Sequence, residues 1–158
     1  MKQGKIRFLK LAVYGIGIII LLLCILALPF LAKHAAEENP EYAHLQYPVL
    51  IGLYITAIPF FFALYQALKL LGYIENNNAF SELSVKALGL IKYCASTISI
   101  LYVVGMILLA VQNALHPGIA VIGFVIFFTS VVIMIFMDVL QELLENVLKI
   151  KLENDLTI

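Results

Sequence analysis

LAVYGIGIIILLLCILALPFLA, residues 11–32, is an apolar stretch without Asp, Glu, Lys, Arg or His. About 20 such residues are enough for a helix to cross the hydrocarbon core of a bilayer. Backbone groups in lipid must be hydrogen-bonded within the segment, so the stretch predicts a spanning helix and not a strand. It is longer than the roughly 7–15 apolar residues of a signal peptide, and we interpret it as a retained span.

Three further stretches have the same character: residues 47–68, 93–113 and 118–137. The chain as a whole is 63% hydrophobic and 13% charged, against about 45–50% and roughly 25% in soluble domains. The sequence therefore predicts an all-α integral membrane protein. We expect one membrane domain over residues 1–158, a four-transmembrane-helix bundle in contact with the lipid bilayer.

Basic residues are distributed unequally between the segments that connect these spans. Residues 1–10, the loop 69–92 and the tail after residue 137 together hold nine Lys and Arg residues, whereas the other two loops hold only Lys33. Short cytoplasmic loops carry the excess of positive charge in membrane proteins. This pattern predicts that both termini face the cytoplasm and that the protein lies in the cell membrane.

Two helices are predicted to continue past the membrane into the cytoplasm. Within the loop 69–92, Ser81 is a suitable N-cap and Glu82 suits the first turn of the third helix. The fourth helix is predicted to continue as an amphipathic tail helix over residues 138–154, which contains neither Gly nor Pro. Its apolar residues recur at helical spacing: Leu140, Leu143, Leu144, Val147, Leu148 and Ile150.

The apolar stripe of the tail has three possible roles. It could lie on the membrane surface, although its acidic flank would be repelled by anionic lipid. It could pack on the helix of the second loop. It could also bind a cytoplasmic partner, and for that role we select Leu140, Leu144 and Val147.

The sequence contains no pattern typical of a catalytic, cofactor or metal site, and we do not expect an enzyme. The spans lack the ionisable residues that transporters and pumps place there. His34, His44 and His116 are predicted on the outer side, where solvated loop residues are the simplest interpretation and a metal or pH-sensing patch is the alternative. The net charge is zero, which does not favour direct binding of nucleic acid.

Two local motifs carry a resemblance to a known family. NAFS at 78–81, followed by VKAL at 85–88, comes after the second span, and ENDLTI at 153–158 ends the chain. With the basic N-terminus and four spans, the chain resembles the YoaS-like DUF2975 family of bacterial membrane proteins of unknown function. Many members of that family are encoded beside a small helix-turn-helix transcription regulator. From these motifs we add Phe80, Lys86, Glu153, Asn154 and Asp155 as candidate partner-binding residues.

The leading functional hypothesis is a regulatory or sensor protein whose cytoplasmic helices hold a small partner, such as a helix-turn-helix regulator. One alternative is an oligomer that transports a small solute or ion. A path for it would have to use the few hydroxyl side chains of the spans: Ser96, Thr97, Ser99, Thr129 and Ser130. Another alternative is a passive subunit of a membrane complex, and a homo-oligomer is compatible with all of these.

Overall fold

The computed structural model describes residues 2–157 and contains only helices and turns there. Four helical stretches are long and apolar enough to cross a membrane: Lys2–Glu38, Pro40–Glu75, Glu82–Val111 and Pro117–Leu156. Three of them contain a predicted span in full, and the third ends at Val111, two residues before the end of the predicted span 93–113. The prediction of an all-α chain with four spans is confirmed.

The first stretch comprises α1 (Lys2–Leu22), a π-helical turn (Leu23–Ala27) and α2 (Leu28–Glu38). A 3₁₀ helix (Pro40–Leu45) leads into α3 (Gln46–Glu75). The third stretch is α4 (Glu82–Val111), and the fourth is α5 (Pro117–Leu156), a single helix of 40 residues.

The π-helical turn follows from Pro29. The Leu28 N–H bonds the carbonyl of Leu23, five residues back, so the carbonyl of Cys24 loses its α-helical donor. The π-helical donor for that carbonyl would be residue 29, and a proline has no N–H. The hydroxyl of Tyr54 on α3 donates to the Cys24 carbonyl instead, at 2.7 Å. A polar backbone group in an apolar region is thereby satisfied from a neighbouring span.

Removal of that hydroxyl tests its contribution. We expect Tyr54→Phe to lower the free energy of unfolding by about 0.6 kcal/mol and by no more than about 1.7 kcal/mol, the range for interhelical hydrogen bonds in membranes. Unfolding in mixed detergent micelles measures the change. Tyr47→Phe is the matched control, because Tyr47 is largely exposed. Equal losses in both variants would contradict the assigned bond.

Local signals set the starts of α4 and α5, and the first of them, the Ser81 N-cap, was predicted from the sequence. Ser81 is the N-cap of α4, and its hydroxyl accepts a hydrogen bond from the Ser84 N–H at 3.3 Å. The preceding turn passes through Asn77, which has a φ of 58°, a conformation that Asn tolerates better than most residues. At the start of α5, the Nδ1 of His116 accepts from the Gly118 N–H at 3.1 Å.

The helices α4 and α5 pack closely as an antiparallel pair. The register is constant along the pair, since Gly89 faces Gln141, Lys92 bonds Asp138, and Met106 faces Gly123. From this register we infer one contact stripe on each helix, with alternating spacings of three and four residues, as in coiled coils. On α4 the stripe is Val85, Gly89, Lys92, Ser96, Ser99, Val103 and Met106, and on α5 it is Gly123, Phe127, Ser130, Met134, Met137, Gln141, Leu144 and Leu148.

The spans are arranged in a row that follows the chain order. The first stretch packs on α3, α3 packs on α4, and α4 packs on α5. Among residues 2–157, the first and fourth stretches have no extensive contact with each other, so the bundle is open. Most of the buried residues between 2 and 157 lie on α4, because it packs on both α3 and α5; they include Ser84, Ala87, Leu88, Gly89 and Ile91.

Candidate functional site

The two ends of the molecule differ in size. At one end, the hydroxyl of Tyr42 donates to the Asn113 carbonyl at 2.9 Å, and the His44 Nε2 lies 3.4 Å from the Gln112 Oε1. These contacts join the two short loops into what we call the hairpin face. At the other end, α4 and α5 continue together past the predicted spans. We call this extension, residues 82–92 and 138–156, the stalk.

Two ion pairs tie neighbouring helices together on this side of the molecule. The Lys92 Nζ is 3.0 Å from the Asp138 Oδ1, which ties α4 to α5. That hydrogen bond raises the pKa of the Lys92 ammonium above its usual value. The second pair, Lys10 with Glu75, ties α1 to the end of α3. The hydrogen bond from Lys10, with its charge and that of Arg7, lowers the pKa of the Glu75 carboxyl.

The lowered pKa of Glu75 predicts a loss of stability in acid. A carboxyl whose pKa is lower in the folded state stabilises the fold above the unfolded value, here 4.5. That contribution disappears as pH falls through the folded value. We therefore expect the native protein to lose more thermal stability between pH 6 and pH 3 than Glu75→Gln does, as measured by circular dichroism in detergent.

The expected effect is modest. The side chains of Lys10 and Glu75 are 28% and 27% exposed, and solvent screens the attraction between partly exposed charges. Glu153→Gln serves as the control, because Glu153 is exposed and makes no ion pair within residues 2–157. A steeper acid loss in Glu75→Gln than in the native chain would contradict the role assigned to the pair.

An open cleft of about 310 Å³ lies on the stalk between the start of α4 and the tail of α5. Its lining is mixed: Val85, Leu148 and Leu152 are apolar, and Glu82 and Glu145 supply negative charge beside Lys149. Seven residues line it: Glu82, Val85, Glu145, Asn146, Leu148, Lys149 and Leu152. We call it the stalk cleft.

The last two turns of α5 pass beyond the start of α4. The register that pairs Gly89 with Gln141 brings Glu82 level with Leu148. Residues 149–156 therefore extend past the start of α4, and we call them the overhang. Lys149 and Leu152 at its base still line the cleft with Glu82. Apolar side chains remain exposed there, with 59% of Leu152 and 85% of Leu156 accessible. These two leucines leave apolar surface uncovered in a segment that carries a charged residue on every turn.

The predicted partner-binding residues are spread over several surfaces. Leu144 belongs to the stripe that faces α4 and is half-buried, as is Leu140. Val147 is 42% exposed, about a quarter of a turn away from that stripe. Phe80 and Lys86 are exposed at the start of α4, and Glu153, Asn154 and Asp155 are exposed on the overhang.

The stalk cleft was not anticipated from the sequence, and none of its lining residues is among the predicted ones. Val85, Glu82 and Glu145 belong to two different helices, and only the α4–α5 register brings them together. The available signal was the helical spacing of Glu145, Leu148, Lys149 and Leu152 along one side of the tail. Spacing alone does not show which helix lies opposite.

The hydroxyl side chains of the spans do not line one path. Ser99 and Ser130 are buried, and the Ser99 hydroxyl donates to the Ala95 carbonyl of its own helix at 2.9 Å. Thr97 is exposed and likewise donates to the Tyr93 carbonyl at 2.9 Å. Such small hydroxyl residues permit close approach of helices. In the described part of the chain, no three His, Cys, Asp or Glu side chains are grouped so that they could hold a metal ion.

Comparison with known proteins gives the family. The profile of the family described as "Protein of unknown function (DUF2975)" matches residues 30–158. The chain is also 56% identical, over the full length of both proteins, to the "Uncharacterized membrane protein YoaS" of Bacillus subtilis (strain 168). No solved structure matches it significantly. A profile match over most of the chain, together with a relative of this identity, shows that the protein belongs to the DUF2975 family of membrane proteins.

Proposed function

We propose that this protein is a non-enzymatic regulatory protein of the cell membrane, whose stalk holds a small cytoplasmic protein at the bilayer. The observation that carries the proposal is the stalk cleft with its overhang. Apolar side chains remain exposed there. The many charged residues of the same segment indicate that it is surrounded by water and not by lipid. A docked partner would remove that apolar surface from water at about 25 cal/mol for each Å² buried.

The side of the membrane is part of the proposal. Nine of the ten basic residues lie on the segments that share a side with the stalk, which supports a cytoplasmic stalk. The hairpin face is small, and its two loops are already in contact with each other. A partner therefore has more surface to bind at the stalk.

The charge of the cleft indicates the chemistry of the partner. Glu82 and Glu145 lie beside the apolar side chains of the cleft, and Glu142 and Glu153 add negative charge along α5. A helix with an apolar ridge and basic flanks would fit such a groove. Basic helices are common in regulators that bind DNA, and a small helix-turn-helix regulator is the partner that we propose.

Site-specific photo-crosslinking in living cells tests this proposal. A benzophenone amino acid at Lys149 or Leu152, both exposed in the cleft, is expected to give one adduct of defined mass. The same probe at Leu83, which is 51% exposed on α4 but does not line the cleft, is expected to give none. Charge reversal by Glu82→Lys with Glu145→Lys should abolish the adduct.

Mass spectrometry of the adduct then identifies the partner. A small cytoplasmic protein with a DNA-binding helix supports the proposal in full. Adducts only with lipid, or the same proteins from all three positions, would overturn it.

A further inference from the structure

A second stripe on α5 has the same spacing as the stripe that faces α4, but nothing in the described chain covers it. Every position in it is exposed. The spacings alternate between four and three residues over 26 residues. The stripe consists of Val125, Thr129, Val132, Phe136, Val139, Leu143, Asn146 and Ile150.

The two stripes lie on opposite sides of the helix. Each position of the uncovered stripe follows a position of the α4-facing stripe by two residues, as Val125 follows Gly123 and Leu143 follows Gln141. At about 100° per residue, this offset turns the second stripe about 200° away from α4. Since α5 is the last helix of the row, this side faces away from the rest of the chain.

The part of the stripe in the stalk is the informative part. Lipid can cover Val132 and Phe136 in the span, but it cannot cover the stalk. Val139, Leu143 and Ile150 nevertheless remain 48%, 56% and 59% exposed there. The stripe contains no charged residue, although the stalk segment of α5 carries many. Their absence from the stripe is typical of a contact seam.

We propose that a second copy of this chain covers the stripe, with the two α5 helices parallel and related by a two-fold axis. A soluble partner could cover only the stalk, and lipid could cover only the span. An identical chain carries the same stripe at the same depth through both regions. A two-fold interface in addition pairs each stripe residue with its own copy.

Asn146 also lines the stalk cleft, so it lies at the edge of the stripe. The apolar seam within the stalk therefore consists of Val139, Leu143 and Ile150.

Cysteine cross-linking in membranes tests the seam. In a background with Cys24→Ala and Cys94→Ala, Leu143→Cys and Ile150→Cys should each form a covalent dimer under mild oxidation. Glu145→Cys, exposed on the same helix but away from the stripe, is the control. We expect about tenfold less dimer from it, because a disulfide requires Cβ atoms within about 4.5 Å.

A mass measurement keeps the test independent of the cysteines. The native chain in nanodiscs should have the mass of two 17.6 kDa chains, and Leu143→Glu with Ile150→Glu should shift it to one. That variant should keep its helical content, because the two side chains project away from α4. A monomeric native chain, equal dimer from Glu145→Cys, or cross-links only to a different protein would each overturn the proposal.

Discussion

Gly123→Leu should separate α4 from α5 and lower the free energy of unfolding by about 1–3 kcal/mol, the cost of overpacking a close contact. A Cβ atom added at Gly123 would lie 2.8 Å from the Sδ and 3.2 Å from the Cγ of Met106. The end of the Met106 side chain can move to admit a methyl group. It cannot move far enough to admit a leucine without a shift of the helix backbones, because Gly123 is buried.

Unfolding in mixed detergent micelles measures this loss, and Gly52→Leu is the control. Gly52 lies within the second span, and nothing is within 4 Å of a Cβ added there. Leucine is also the better helix former, by somewhat under 1 kcal/mol. The control should therefore be neutral or slightly stabilising. A comparable loss in both variants would show that the α4–α5 contact is not the cause.

The second large effect concerns the labelling of introduced cysteines from outside the cell, which should be either complete or absent. With Cys24→Ala and Cys94→Ala as background, Glu153→Cys on the overhang should resist a membrane-impermeant maleimide in intact cells and react fully after permeabilisation. Glu37→Cys, near the end of α2, should react in intact cells. The reason is the nine-to-one distribution of basic residues between the two sides, since the basic side is retained in the cytoplasm.

The reverse labelling pattern would place the stalk outside the cell. That result would end the proposal of a cytoplasmic partner but would leave the α5 seam intact, because the seam requires only that two copies share one orientation. Labelling of both positions in intact cells would indicate mixed insertion and would contradict the predicted topology.

The features that sequence alone predicted are those governed by local physics. A span such as residues 11–32 must be a helix because lipid offers its backbone no hydrogen bonds. Ser81 caps α4 because its hydroxyl reaches an N–H only three residues away. The π-helical turn was not predictable in this way. Pro29 creates the free carbonyl, but the donor, Tyr54, comes from another helix.

The candidate site was predicted only in outline, for a related reason. In the sequence, the apolar residues of the α5 tail form one wide stripe. The sequence does not show which part of that stripe another helix covers. The close approach of Gly89 to Gln141 decides that question. It assigns Leu144 to the contact with α4 and leaves Val147 exposed. The stalk cleft depends on the same register, so it too required the tertiary structure.

The unbroken course of α5 also has a mechanical consequence. From Phe128, near the middle of the predicted fourth span, to Leu156 the helix rises about 42 Å at 1.5 Å per residue. No Gly or Pro interrupts that length. A tilt of about 10° around the centre of the bilayer would therefore carry the tip sideways by roughly 7 Å, more than one helical turn. A small tilt of α5, caused by a change in lipid packing or at the hairpin face, would therefore produce a large displacement of the overhang, where a partner would be held.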